Sequence, residues 1–338
     1  MKLKPGPKNL ITDVPGILVG HAEDRDIHTG ATVIRPLERA VCAVDVRGGA
    51  PGVSLSELVA PGSAMEGIDA LAFAGGSLYG MAAAQGVTAA LGAAGVGLGL
   101  MGTTVPVVPG AIIFDLPAQR RQDWYEDPPY ARLGRAALKA ACSDPALGSV
   151  GAGIGASACS LAGGVGSASV QTDDGLVVGA LAVVNSLGEV VVPGQPQFWA
   201  WPYEMDGEFG GLGPPALPAP VAPGLSLPAA LRPPGTATTL VAIAVNAALD
   251  KAALKRVAVM GHAGMARAIR PIHTLFDGDV VFALATGAEM TEDPLRQALI
   301  GNLAADCAAR AIARAVHLAG PHPLLPSWQE QHAPLLRR

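Results

Sequence analysis

Gly235-Thr236-Ala237-Thr238-Thr239-Leu240-Val241-Ala242-Ile243-Ala244-Val245 is the stretch on which the reading of the whole chain turns. It passes from a glycine through small and β-branched residues into an unbroken apolar run. Such residues fit a pleated, buried surface, so 239–245 is expected to be an interior strand. Upstream the composition inverts. Eight prolines (Pro214, Pro215, Pro218, Pro220, Pro223, Pro228, Pro233 and Pro234) crowd 211–235, with almost no charge. A segment of that kind forms neither a helix nor a central strand. A loose stretch therefore runs straight into a rigid one at Ala237–Thr238.

Two readings fit this junction. In the first, 211–237 is a linker that happens to precede a strand. In the second, the Ala237–Thr238 peptide is a self-cleavage site. Breaking it would leave a hydroxyl and an α-amine on one residue, Thr238. An α-amine titrates near ~8, close enough to neutrality to accept the hydroxyl proton as a built-in base. A rigid strand would also hold such a nucleophile better than a loop.

Working outward, Asp250 is placed to N-cap a helix reaching about Arg270, 280–285 is a strand, and 291–318 is a long helix. On the other side, 165–170 and 176–184 are strands joined by a hairpin turn at 172–175. Earlier still, 17–20, 31–34 and 41–46 are β-prone, 77–94 is an Ala-rich buried helix, and 132–142 is helical. The segment 105–114 carries Pro106 and Pro109, which predicts an edge strand or a loop along a cleft. Strands dominate both halves and helices follow in blocks. That pattern suggests sheets stacked between helical layers, not a βαβ alternation.

Composition narrows the function. Half of the 338 residues are apolar and 15% are charged, enough for a large core. The formal net charge of -5, without a basic run, makes nucleic acid and anionic membrane poor partners. Cys42, Cys142, Cys159 and Cys307 show no C-x-x-C spacing and read as buried free thiols of a reducing, cytoplasmic compartment. No apolar segment follows the charged start, and the most apolar stretch, 82–101, is interrupted by glycines as a core segment would be. The seven histidines form no H-x-H or H-E-x-x-H pair, so no metal and no cofactor is expected. Gly151-Ala152-Gly153-Ile154-Gly155-Ala156 fits a dinucleotide fingerprint in letters only, because no strand precedes it and Gly163-Gly164 interrupts the helix that should follow. A glycine-rich wall along a substrate cleft suits it better. Gly30 and Arg47-Gly48-Gly49 read as tight turns.

Further motifs carry a resemblance. They are Gly16-Ile17-Leu18-Val19-Gly20-His21, Val46-Arg47-Gly48-Gly49-Ala50-Pro51-Gly52, Gly75-Gly76-Ser77-Leu78-Tyr79-Gly80 and the run from Val105 to Leu116. Downstream come Thr238-Thr239-Leu240, Ala266-Arg267-Ala268-Ile269-Arg270-Pro271 and His273-Thr274-Leu275-Phe276-Asp277-Gly278-Asp279. In this order they resemble the P1 (S58) peptidase family, which includes the β-peptidyl aminopeptidases, the D-stereospecific L-aminopeptidase and the nylon-oligomer endohydrolases. The Thr nucleophile with Asp277-Gly278-Asp279 is similar to the nylon-hydrolase branch.

The resemblance implies an α+β fold, a four-layer αββα sandwich of the N-terminal-nucleophile kind shared with ornithine acetyltransferases. It implies one structural domain made of two fragments, 1–237 with its Pro-rich tail 211–237, and 238–338. Thr236 is a rival nucleophile, but the spacing to Asn246-Ala247-Ala248-Leu249 favours Thr238. Asp277 and Asp279, two apart on an extended segment, are expected to orient the Thr238 hydroxyl and hold its ammonium. Asn185 is expected to supply an amide donor to the oxyanion. Gly151, Gly153, Ala162 and Tyr79 are expected along the substrate cleft, and His273 is structural or lines it. The substrate would be a small peptide, β-peptide or ω-amino-acid oligomer, and the assembly a homotetramer of processed heterodimers. Two positions depart from the pattern. Leu161-Ala162-Gly163-Gly164 stands where relatives carry Lys, and Ala237 stands where they carry Asn or Gly. An acyltransferase or a catalytically impaired relative are the alternatives.

Overall fold

The apolar run 239–245 lies inside a sheet with both faces buried. The computed structural model describes residues 2–216, 236–287 and 293–336, the side chains of 333–336 excepted. In chain order the first half holds β1 (Leu3–Lys4), β2 (Ile17–Asp24), β3 (Thr29–Pro36), β4 (Val41–Val46), β5 (Val53–Ser54), β6 (Leu71–Ala74), α1 (Ala82–Ala93), β7 (Leu98–Leu100), β8 (Thr103–Val105), β9 (Gly110–Ile112) and α2 (Tyr130–Lys139). The rest holds β10 (Ser157–Ala158), β11 (Leu161–Ala162), β12 (Gly164–Thr172), β13 (Val177–Asn185), β14 (Thr238–Val245), α3 (Lys251–Ala268), β15 (Val280–Ala285), α4 (Pro294–His317) and α5 (Trp328–Leu336).

A six-stranded sheet runs β1-β12-β13-β14-β15-β4, and a five-stranded sheet runs β2-β3-β6-β9-β5. In the larger sheet only β14 and β15 pair in parallel, joined across the sheet by α3, as a parallel pair requires. Alternation along β14 explains the packing. Val241, Ile243 and Val245 meet Leu254, Val257 and Ala258 of α3 and Ala304, Ala308 and Ile312 of α4. Leu240, Ala242 and Ala244 meet Ile34, Leu71, Phe73 and Ala111 of the second sheet. On that sheet's far side, Ala31, Val33, Ala72 and Ala74 pack on Ala83 and Val87 of α1 and Leu133 and Ala137 of α2. Each fully buried Leu, Ile or Val in these layers contributes roughly 1.5–3 kcal/mol. Leu240→Ala would therefore cost about 2–5 kcal/mol by opening a cavity between the sheets.

Small residues set the layer spacing. A Cβ on Gly264 would stand 2.1 Å from the Ala305 carbonyl, and one on Gly166 2.0 Å from that of Ala311. Without side chains there, α4 rests directly on α3 and on β12. Arg310 of α4 is buried at this contact. Its guanidinium meets Glu208 at 2.5 Å, the Ser169 carbonyl at 2.9 Å and Asn9 Oδ1 at 2.8 Å. It thereby pins the segment that leads into the proline-rich stretch.

Several expectations hold and several change. Asp250 caps α3, accepting from the Ala253 N–H at 2.7 Å, and the 172–175 turn closes the β12–β13 hairpin with Gly175 at φ +86°. The helix expected from Thr291 starts at Pro294 with Asp293 as its cap, while 288–292 lie outside the described residues. Of the Pro-rich tail 211–237, residues 217–235 likewise lie outside them. Within the segment 105–114, Val105 ends β8 of the two-stranded β7–β8 sheet and 106–109 form no strand, but 110–112 is not an edge. Both prolines precede β9, which is therefore free to pair with β6 on one side and β5 on the other. Cys142 is exposed just past α2, so the expectation of four buried thiols holds for Cys42, Cys159 and Cys307. Among the described residues no helix is long and apolar enough to cross a membrane.

Candidate active site

Thr238 opens β14 and stands directly opposite Asn185, the last residue of β13, in the antiparallel register. Both are buried. The Thr238 hydroxyl donates to the carbonyl of its own predecessor, Ala237, with Oγ1 2.6 Å from that oxygen. The same carbonyl accepts the Gly278 N–H at 2.8 Å. Ala237 also forms a parallel bridge with Asp277, its N–H reaching the Phe276 carbonyl at 3.4 Å. The peptide between Ala237 and Thr238 is thus held from both sides, with a hydroxyl and an amide proton on its oxygen. Two donors on one carbonyl draw electrons from its carbon and make it more electrophilic.

Asn185 is fully engaged. Its Nδ2 donates to the carbonyls of Thr236 at 3.2 Å and Phe114 at 3.3 Å. Its Oδ1 accepts from the Ser157 N–H at 3.0 Å and the Ser157 hydroxyl at 3.2 Å. Four bonds fix the amide's orientation and aim its donor at the segment just upstream of Thr238.

The carboxylates flank Gly278 and point into different bonds. Asp277 accepts from the Thr274 N–H at 2.8 Å and hydroxyl at 2.6 Å, and from the Leu187 N–H at 3.5 Å. Asp279 accepts from the Thr239 N–H at 2.8 Å, the His273 N–H at 3.1 Å and His273 Nδ1 at 2.9 Å. Neither is bonded to the Thr238 hydroxyl, whose partner is the Ala237 carbonyl; the expectation that they orient the hydroxyl is corrected on this point for the uncut chain. Burial raises the Asp277 pKa, and the nearby charge of Asp279 raises it further. His273 is therefore a structural partner of Asp279, with its ring edge-on to His262 at 4.7 Å.

The loop 47–50 does more than turn. Arg47 and Gly48 N–H groups donate to the Asp279 carbonyl, Gly49 to Thr274 and Ala50 to Asp277. A Cβ on Gly48 would stand 2.3 Å from the Asp277 carbonyl oxygen, so this glycine permits close approach and clamps the 274–279 turn.

Other expected residues sit elsewhere. Gly151 and Gly153 are buried and not on a cleft. A Cβ on the first would strike Thr32 Oγ1 at 2.3 Å and on the second the Gly164 backbone at 2.5 Å, so they let 151–153 pack closely against β3 and β12. Ala162 is buried, opposite Ser157 in the β10–β11 hairpin, one residue removed from the Asn185 amide. Tyr79 is exposed in an aromatic group, 5.2 Å from the Trp124 ring and 5.7 Å from that of Tyr125. Among the described residues no three His, Cys, Asp or Glu side chains converge as a metal site would require.

Sequence reasoning did not single out Asp115. Its buried carboxylate accepts from Thr29 Oγ1 at 2.6 Å, the Gly76 N–H at 2.6 Å and Gln119 Nε2 at 3.1 Å. Burial raises its pKa to about 6, against the lowering pull of those bonds. It follows Phe114, whose carbonyl receives Asn185. The available signal was that Asp115 is the one acid in an otherwise apolar run, 105–116.

The family model of peptidase family S58 matches residues 9–323. An uncharacterized aminopeptidase of Mycobacterium bovis is 42% identical over 343 residues, covering 95% of this chain and 97% of that one. A 6-aminohexanoate-oligomer endohydrolase of a Kocuria strain is 32% identical over 294 residues, covering 83% and 76%. Among solved structures, a Burkholderia beta-aminopeptidase superposes with a TM-score of 0.72 at 22% identity, over 100% of this chain and 95% of that one. The L-aminopeptidase D-Ala-esterase/amidase of Ochrobactrum anthropi, described as a variant of the Ntn hydrolase fold, gives 0.70 at 19% identity, over 100% and 96%. The mixed α+β architecture is that of these aminopeptidases. The chain belongs to peptidase family S58 and is a hydrolase of peptide or amide bonds.

Proposed function

We propose that the chain is a self-processing N-terminal-nucleophile hydrolase, with Thr238 as nucleophile and an αββα layering of the kind that class uses. The observation that carries this reading is the double hydrogen bond on the Ala237 carbonyl, from the Thr238 hydroxyl and the Gly278 N–H. In maturation, Thr238 Oγ1 bonds to the Ala237 carbonyl carbon, the carbon–nitrogen bond of the peptide breaks, and the hydroxyl proton passes to the freed amine. Water then cleaves the ester, leaving a carboxylate on Ala237 and a hydroxyl and α-amine on Thr238.

Loss of the upstream chain from the site would release two donors. Asn185 Nδ2 loses the Thr236 carbonyl and Gly278 N–H loses the Ala237 carbonyl. Both are then free to meet the oxyanion formed when Thr238 attacks a substrate amide. The α-amine takes the hydroxyl proton and returns it to the leaving amine. Water resolves the acyl-enzyme. Asp279, through the Thr239 N–H, fixes the start of the strand that bears the nucleophile. The fragments 1–237 and 238–338 stay together, because β14 and β15 of the second are bonded to β13 and β4 of the first. Substrates are short peptides, β-peptides or ω-amino-acid oligomers, a range supported by the aminopeptidase and oligomer-endohydrolase relatives.

Intact-mass measurement of purified protein tests the reading. Wild type should give two fragments meeting at 237 and 238, and Thr238→Ala one uncut chain without amidase activity. A wild type that hydrolyses amides while continuous through this bond would sink it.

A further inference from the structure

The residue on the acyl side of the proposed scissile bond has a small pocket of its own. Ala237 is buried and packs with Cys159 and Leu187, with Phe276 against them. Backbone bonds hold each wall in place. The Cys159 N–H donates to the Ser186 carbonyl at 2.9 Å, the Leu187 N–H reaches the Asp277 carboxylate at 3.5 Å, and the Phe276 carbonyl receives the Ala237 N–H at 3.4 Å. Cys159 adopts φ +54°, a left-handed conformation uncommon for a residue with a side chain. Its sulfur stands 3.8 Å from Glu189 Oε1. Glu189, with Ala158, Ser160 and Leu161, lines a separate cavity of about 300 Å³. Cys159 therefore lies between Ala237 and the Glu189 side chain that lines that cavity.

A self-cleaving chain is its own first substrate, and the residue before the nucleophile is its first acyl group. The Ala237 carbonyl lies under the Thr238 hydroxyl, so the space around Ala237 is the space any later acyl group must enter. We infer that Cys159, Leu187 and Phe276 form the acyl subsite, sized for a carbon next to the carbonyl that bears at most a methyl branch, with Cys159 setting its depth. Glycyl and alanyl units and unbranched β- or ω-amino-acyl units fit, because their carbon next to the carbonyl carries hydrogen or a methyl. Valyl, leucyl and phenylalanyl units overfill the pocket. This inference rests on Thr238 being the nucleophile.

The chain's own maturation reads the pocket. Full-length Ala237→Gly, Ala237→Val and Ala237→Leu are followed by the disappearance of the uncut chain on denaturing gels, with thermal melts as a folding control. The glycine variant should mature at the wild-type rate and the valine and leucine variants at least about tenfold more slowly, the usual scale for overpacking. Cys159→Ala added to Ala237→Leu should recover most of the rate, since the sulfur is the wall removed. Mature wild type should rank glycyl and alanyl amides above leucyl amides in kcat/KM, and this ranking decides the matter if the leucine variant does not fold. Maturation of Ala237→Leu at the wild-type rate, no recovery on removing the sulfur, or preference for leucyl amides would each overturn the pocket alone. A wild type that never breaks at 237 and 238 would instead remove the Thr238 reading beneath it.

Discussion

Gly278 lies so close to Thr238 that a Cβ built on it would stand 2.5 Å from the Thr238 hydroxyl oxygen, while its N–H donates to the Ala237 carbonyl at 2.8 Å. One glycine thus touches both the Thr238 hydroxyl and the oxygen of the carbonyl that hydroxyl is bonded to. Its φ is unexceptional, so proximity is what demands the missing side chain.

Gly278→Ala should displace the hydroxyl and the amide donor together. Fragment formation is expected to fall by about a hundredfold, the scale seen when an oxyanion donor is lost. Far-UV circular dichroism should remain that of the wild type, and time-resolved intact mass gives the rate. Unchanged maturation would show that the Gly278 contact is incidental.

Asn185→Ala removes a donor and leaves the Thr236 and Phe114 carbonyls and the Ser157 groups short of a partner. The uncut chain is expected to lose about 1–3 kcal/mol in denaturant titrations. In material that has matured, kcat should fall by about 10²–10³ with KM little changed, because the oxyanion exists in the transition state and not in bound substrate. A change confined to KM would assign Asn185 to substrate binding.

Asp115 makes stability depend on pH. Its folded pKa of about 6 lies above its ordinary value, so the folded state holds a proton that the unfolded state has released. The relative stabilisation is complete below the ordinary carboxylate value and is lost as pH rises through about 6. Asp115→Asn keeps one acceptor and abolishes the titration. Between pH 4 and pH 7 the wild type should lose about 2 kcal/mol relative to this variant, measured by urea unfolding at each pH. Parallel curves would mean that Asp115 stays ionised in the fold.

Legibility followed length and local chemistry. The strand 239–245, the α3 cap at Asp250 and the 172–175 turn each declare themselves within a few residues, through β-branched runs, an N-capping carboxylate and a turn glycine. Strand β6, with four residues, and β5, with two, were not read, because so short a run takes its conformation from its neighbours in the sheet. The candidate site divides the same way. Asn185 and Thr238 meet because two strands are in register, and Asp277 and Asp279 arrive beside them on the turn before β15. Which bond each side chain makes is a tertiary matter. Gly151 and Gly153 look like a cleft wall in one dimension and are interior spacers in three. The Asp115 cluster draws Thr29 and Gly76 from distant positions to join the nearby Gln119, and no local pattern announces it.

The place of β14 in the middle of a sheet has a further consequence. A chain nicked at its first residue would fold from one polymer and yet, once melted, would have to reassemble from two. Recovery after heating should then depend on dilution for aged protein and not for the freshly made chain or Thr238→Ala. The order of events in its history, and not sequence alone, would decide whether it can return.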